Sequence, residues 1–132
     1  MSAGMSGHTI KNLREVEDSA VKFGFSPDME ARFARKDLDF EDHGLSFQRL
    51  APGVKQPFAH RHADAEEVYV VVEGSGRIRT GDEISEIGRW DAIRVAPETV
   101  RAFAAGPDGI TILAFGAHGL ADAEQLPADW PE

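Results

Sequence analysis

At 132 residues, 42% hydrophobic and 28% charged, the chain is sized for one soluble domain with a sizeable buried core. Its formal net charge of −9 argues against a nucleic-acid surface or attachment to an anionic membrane, both of which need an excess of Lys and Arg. The absence of cysteine excludes a disulfide scaffold, a thiolate metal site and a thiol nucleophile.

Residues 1–43 come first in chain order. Ala20–Phe25 and Glu30–Arg35 read as short strands on either side of a Ser26-Pro27-Asp28 turn. Ala31–Lys36 reads alternatively as a single helical turn, because Ala, Arg and Lys favour one. The N-terminus has neither a basic region nor an apolar run of secretory type, so the expected location is the cytoplasm. The longest apolar runs, Val68–Val72 and Ile110–Phe115, are far too short to span a bilayer.

From residue 44 the chain breaks into short pieces rich in Val, Ile, Phe and Thr. Gly44–Leu50 ends at a Pro52-Gly53 turn, and Phe58–His62 leads to Glu66–Glu73. Gly74-Ser75-Gly76 reads as a hairpin turn, and Gly81-Asp82 as a second one joining Arg77–Thr80 to Ile84–Ile87. Asp91–Val95 runs to Pro97, Thr99–Ala104 to Gly106-Pro107, and Ile110–Phe115 to Gly116. None is long enough for an amphipathic helix, and the spacing predicts an antiparallel all-β sandwich or barrel. In residues 118–132 a candidate short helix at Ala121–Leu126 precedes Pro127 and Pro131, and the segment reads as a tail on the surface. The expected organisation is an arm of strands over 1–43, a barrel over 44–116 and a tail over 117–132, all one domain.

His60 and His62 stand two apart, so on a strand both imidazoles enter the same space. Glu67 opens the next strand after the bend 63–66, and an antiparallel return sets its carboxylate beside the pair. Two imidazoles and a carboxylate form a ligand set used for divalent iron, manganese or zinc, with positions left open for water or substrate. His-x-His alone also fits a solvent-facing strand edge, so the surrounding spacing has to carry the assignment.

That spacing resembles the first motif of the cupin superfamily: Gly, a short gap, His-x-His, three or four residues, Glu, six residues, Gly. Gly53 precedes His60-Arg61-His62 by six residues, one more than usual; four residues lead to Glu67 and six more to Gly74. Glu66 stands seven residues from Gly74, so Glu67 is the better match. The resemblance covers roughly residues 44–116 and implies a double-stranded β-helix of jelly-roll type. The second cupin motif, with Asp91 and Pro97 retained, lies over Trp90 to Ala105. Its Gly falls on Trp90, its Pro on Ala96, its second Gly on Glu98, its fourth-ligand His on Arg101 and its Asn on Ala105. The implied metal ligand set is therefore incomplete.

Arg101 cannot ligate a cation and stays protonated. Three placements are physically consistent. Arg101 pairs with Glu67 in place of a metal, or it holds a substrate carboxylate by two hydrogen bonds beside a three-ligand site, or it turns outward as a solvated charge. Tyr69 shares parity with Glu67, and Phe103 with Arg101, so both are expected to line the pocket; Gln48 is a further candidate. His8, His43 and His118 read as surface residues, and Trp90 as a cover for a barrel end, an interface or a ligand. Two classes of function follow. One is a binding module holding a small molecule in the barrel; the other is a small metal-dependent enzyme of dioxygenase or isomerase type. A homodimer is expected, because small cupins pair through sheet edges and bare edges invite aggregation.

Overall fold

The structure, a computed structural model, describes residues 7–117 and 122–131. Eight strands form one antiparallel sheet: β1 (Met29–Phe33), β2 (His43–Leu50), β3 (Phe58–His62), β4 (Glu67–Thr80), β5 (Glu83–Gly88), β6 (Ala92–Val95), β7 (Arg101–Ala117) and β8 (Ala123–Pro127). The sheet curls into the double-stranded β-helix that the spacing implied. β7 is its spine. The second half of β7 pairs with β2 on one side and with the first half of β4 on the other; its first half pairs with the end of β4 and, through Arg101↔His60, with β3.

Side-chain alternation explains the core. Tyr69 and Val71 on β4, Phe103, Ile110, Ile112 and Ala114 on β7, and Leu50 on β2 are all buried in one cluster. Ala59 and Ala102, on the opposite face, are closed over by Ala128, with Val100 and Trp130 packed against them.

Two expected turns are not turns. β4 runs unbroken through Gly74-Ser75-Gly76, and β7 runs unbroken past Gly106-Pro107. The register explains why. Gly74 faces Ile110 while Gly76 faces Ala105, so residues 106–109 bulge out opposite Ser75 and the strand then resumes. At Gly74, with φ +75°, an added Cβ would overlap the Gly109 carbonyl oxygen, and at Gly76 it would overlap that of Ala104. Here glycine marks a close backbone approach, not a reversal of the chain. Gly74→Ala is expected to cost about 3 kcal/mol in a denaturant melt, since backbone must move to admit the methyl group. A midpoint equal to wild type would contradict this packing. The Gly81-Asp82 hairpin forms as expected, with Thr80 opposite Glu83.

Both ends of the chain differ from expectation. Ala20–Phe25 is not a strand: Ser19–Lys22 makes one helical turn, capped by Asp18, whose carboxylate accepts from Ala20 N at 3.0 Å. The same oxygen accepts from Ala31 N at 2.9 Å and ties that turn to β1. Glu30–Arg35 is a strand in its first part, and Ala31–Lys36 forms no helical turn. Glu30 is buried beneath Arg14, Arg32 and Arg49, at 3.1, 2.6 and 2.9 Å, and this pins the N-terminal arm to β1 and β2. Burial opposes its charge, but the hydrogen bonds from Arg49 and Arg32 outweigh that and hold its carboxyl below the usual range. Ala121 of the candidate helix Ala121–Leu126 lies outside the described residues; the rest of that span leads instead into β8, antiparallel to β3 from His62↔Ala123 to Phe58↔Pro127. Arg61 bonds Glu124 at 2.8 Å, and Trp130 Nε1 donates to the Gln56 carbonyl at 3.0 Å, so the segment has real partners on the sheet.

Candidate functional site

β3 carries His60 and His62 on one side, and the bend 63–66 returns the chain so that β4 presents Glu67 and Tyr69 to them. One donor atom from each of His60, His62 and Glu67 can be chosen so that all lie within 4.8 Å of one another. Glu67 Oε1 stands 3.3 Å from His60 Nε2 and 3.2 Å from His62 Nε2. The two rings meet edge to face, with centroids 5.1 Å apart. Gly116 lies opposite Glu67 on β7, where a Cβ would press on Glu67 Cγ at 2.9 Å; glycine there leaves room for the carboxylate to lie across the strand.

Arg101 enters from β7 and is 0% exposed. Its Nη2 donates to Glu67 Oε1 at 3.1 Å and its Nε to the Tyr69 hydroxyl at 3.1 Å. Nη1 donates to the carbonyls of Pro97 and Thr99, at 3.1 and 2.7 Å. The Tyr69 hydroxyl in turn donates to Glu67 Oε1. Of the three placements considered for Arg101, the pairing with Glu67 is observed, and it leaves the three-donor cluster of His60, His62 and Glu67 intact beside it rather than standing in place of it. Outward solvation is ruled out by burial. Two-pronged capture of a substrate carboxylate fails on donors, because four of the five guanidinium N–H groups already have acceptors.

A cupin protein from Bacteroides fragilis matches over 97% of this chain and 91% of its own, at 22% identity and a TM-score of 0.69. The fold is the cupin fold. A polyketide cyclase from Streptomyces resistomycificus matches over 94% and 87% of the two chains, at 17% identity and a TM-score of 0.71. A salicylate 1,2-dioxygenase from Pseudaminobacter salicylatoxidans matches over 83% of this chain but 34% of its own, at 14% identity and a TM-score of 0.63. No family profile and no curated protein matches the sequence.

Sequence reasoning missed one member of the site. Asp122, just before β8, holds His62: Oδ1 stands 2.8 Å from His62 Nδ1, and Oδ2 accepts from the backbone N–H of Asp64 at 2.7 Å and of Ala65 at 3.0 Å. No local signal marks it, because its partners are about 60 residues away.

The other candidates lie further off. Phe103 packs edge-on against Tyr69, with centroids 4.9 Å apart, and belongs to the core. Gln48 lies opposite Ile112 on β7 and donates to Ser46 Oγ at 3.0 Å, so its side chain is engaged within β2. Glu66 points outward to Arg94 at 2.9 Å. Trp90 is 66% exposed, with Arg89 stacked 5.6 Å from its ring. His8 and His43 are exposed, and His118 lies outside the described residues.

His62 Nε2 tests whether these residues suit a metal. It is the one buried side-chain polar atom without a hydrogen-bond partner among the described residues; although Glu67 Oε1 is near, the angle is wrong for a bond. An ionised Asp122 can only accept, so Nδ1 carries the ring proton and the Nε2 of a neutral imidazole presents a lone pair toward the site. The donor set fits a divalent cation with three protein ligands. Arg101, which the motif resemblance aligns with a fourth ligand, cannot ligate a cation.

The charges set a pH window. Burial disfavours the Glu67 carboxylate, but the hydrogen bonds with His60 and Tyr69 and the close approach of His62 outweigh it and hold Glu67 well below the usual range. Asp122 is likewise low: the Asp64 and Ala65 N–H groups and His62 overcome its partial burial. The Glu67 contact raises His62, against burial and with help from Asp122. A raised His62 stabilises fully below about pH 6.5 and loses that contribution as pH rises through its folded value. The lowered carboxylates stabilise above about pH 4 and lose that contribution progressively in acid. The metal-free protein should therefore show its highest Tm between about pH 4.5 and 6.5. His62→Gln should flatten the alkaline limb and keep the acid one; an unchanged alkaline limb in that variant would refute the assignment.

Proposed function

We propose that this cupin binds a small organic ligand at the His60/His62/Glu67 end of its barrel, anchored by a divalent metal on those three side chains. The observation that carries this reading is the buried, unpartnered His62 Nε2 among three mutually close donors. Manganese, iron(II) or zinc would supply a Lewis-acidic centre for an oxygen donor of that ligand. Arg101 and Tyr69 hold Glu67 in place. Burial and the neighbouring Glu67 charge push the Tyr69 phenol further above its ordinary pKa, and its hydroxyl donates to Glu67 Oε1. Titrating chelator-stripped protein with each metal is expected to show binding that His62→Ala abolishes. Absence of binding by the wild type for all three metals would overturn the reading.

A catalytic version, a dioxygenase or isomerase, draws support from the cyclase and the dioxygenase among the structural neighbours, which show what the fold can host. His60, 23% exposed, is the donor ring that solvent reaches and would be the first residue to test for proton transfer. Oxygen uptake by the metal-loaded protein with aromatic diols or hydroxy acids would separate an enzyme from a binder.

A further inference from the structure

We infer that Asp122 is the positioning residue of this site, fixing the ring proton of His62 on Nδ1 and so leaving the nitrogen that faces Glu67, Nε2, unprotonated in the neutral ring. The inference deepens the metal-binding reading, and rests on it only where metal affinity is concerned.

Asp122 ends up beside His62 because β8 pairs with β3 in the register His62↔Ala123, one residue past Asp122. Its carboxylate takes three donors at once. His62 Nδ1 lies 2.8 Å from Oδ1, and the N–H groups of Asp64 and Ala65 lie 2.7 and 3.0 Å from Oδ2. The Asp122 carbonyl also accepts from Ala63 N at 3.2 Å. Residues 63 to 65 belong to the bend between His62 and Glu67, so one side chain clamps both the ring and the segment that brings the carboxylate to it. The His62 side chain is fully buried, and among the described residues nothing else bonds its Nδ1. Removing the carboxylate would free the ring to take the other tautomer, in which Nε2 carries the proton and cannot ligate.

Two-bond nitrogen–proton NMR of the metal-free, histidine-labelled protein, at alkaline pH where the ring is neutral, reads the tautomer directly. The wild type should show His62 protonated at Nδ1, and Asp122→Ala should move the proton toward Nε2. Glu124→Ala is the structural control. It removes the Arg61 ion pair from the same strand, leaves Asp122 in place and should keep the wild-type tautomer. Metal affinity should fall about 10–100-fold in Asp122→Ala. The inference is overturned by a wild-type ring protonated at Nε2, by an Asp122→Ala ring that stays protonated at Nδ1, or by an equal change in Glu124→Ala. If Asp122→Ala does not fold, the wild-type spectrum still decides. If the tautomer responds as expected but the wild type takes up no metal, Asp122 keeps its role and the metal reading fails.

Discussion

Arg101→Ala should destabilise the protein by about 3–5 kcal/mol, read as a Tm lowered by about 10–20 °C. The guanidinium is wholly buried and is the permanent cation on a carboxylate that is itself mostly buried. Truncation leaves Glu67 Oε1 without its counter-charge and the Pro97 and Thr99 carbonyls without their donors. Such losses are large because the stranded partners cannot regain water. The double variant Arg101→Ala/Glu67→Gln should recover part of the loss, since it removes the stranded charge. A single variant as stable as wild type would mean that Glu67 is carried by its histidines alone. Guanidine or heat denaturation of the four proteins in the cycle gives the coupling directly.

Arg101→His should tighten divalent-metal binding by at least about 10–100-fold, the scale on which changes around a ligand act. Two effects add. The substitution removes a permanent cation that bonds the ligating carboxylate at 3.1 Å, and it offers an imidazole at the position from which a fourth ligand would reach the ion. Wild type and variant titrated side by side with manganese, iron(II) and zinc supply the comparison. Equal affinity in both would show that Arg101 does not oppose the ion; undetectable binding in both would leave His60 and His62 as scaffold residues without a metal role. The same variant should be less stable than wild type without metal, because it loses the ion pair with Glu67.

Much of the site could be read from the sequence because its parts are local. His60, His62 and Glu67 fall within eight residues, where strand parity and a short bend determine their meeting. Arg101 was placed by the spacing of a second motif whose own signature residues are gone, since the hydrophobic pattern around them still sets the register. Strand β3 and the Gly81-Asp82 hairpin lie where propensity and turn chemistry put them. The misreadings share one cause. Gly74-Ser75-Gly76 and Gly106-Pro107 look like chain reversals, yet glycine serves a bulge and a close strand contact equally well, and only the partner strand decides which. Ala20–Phe25 has β-compatible residues, but Asp18 starts a helical turn there. β8 and Asp122 carry no motif at all. Their assignment depends on a strand edge far away in the chain, which local propensity cannot see.

The attachment of β8 to β3 has a consequence for how the protein is made. His62 and Asp122 are 60 residues apart, and Glu67 and Arg101 34 apart, so the site closes through contacts that cost much chain entropy before they return any stability. Folding should therefore be slow, on the order of milliseconds to seconds, with the site among the last parts to form. During synthesis His60, His62 and Glu67 emerge well before the segment that orients them. Until it arrives, β3 presents a bare edge beside three unclamped donors, the interval in which a chaperone or a second nascent chain would find it.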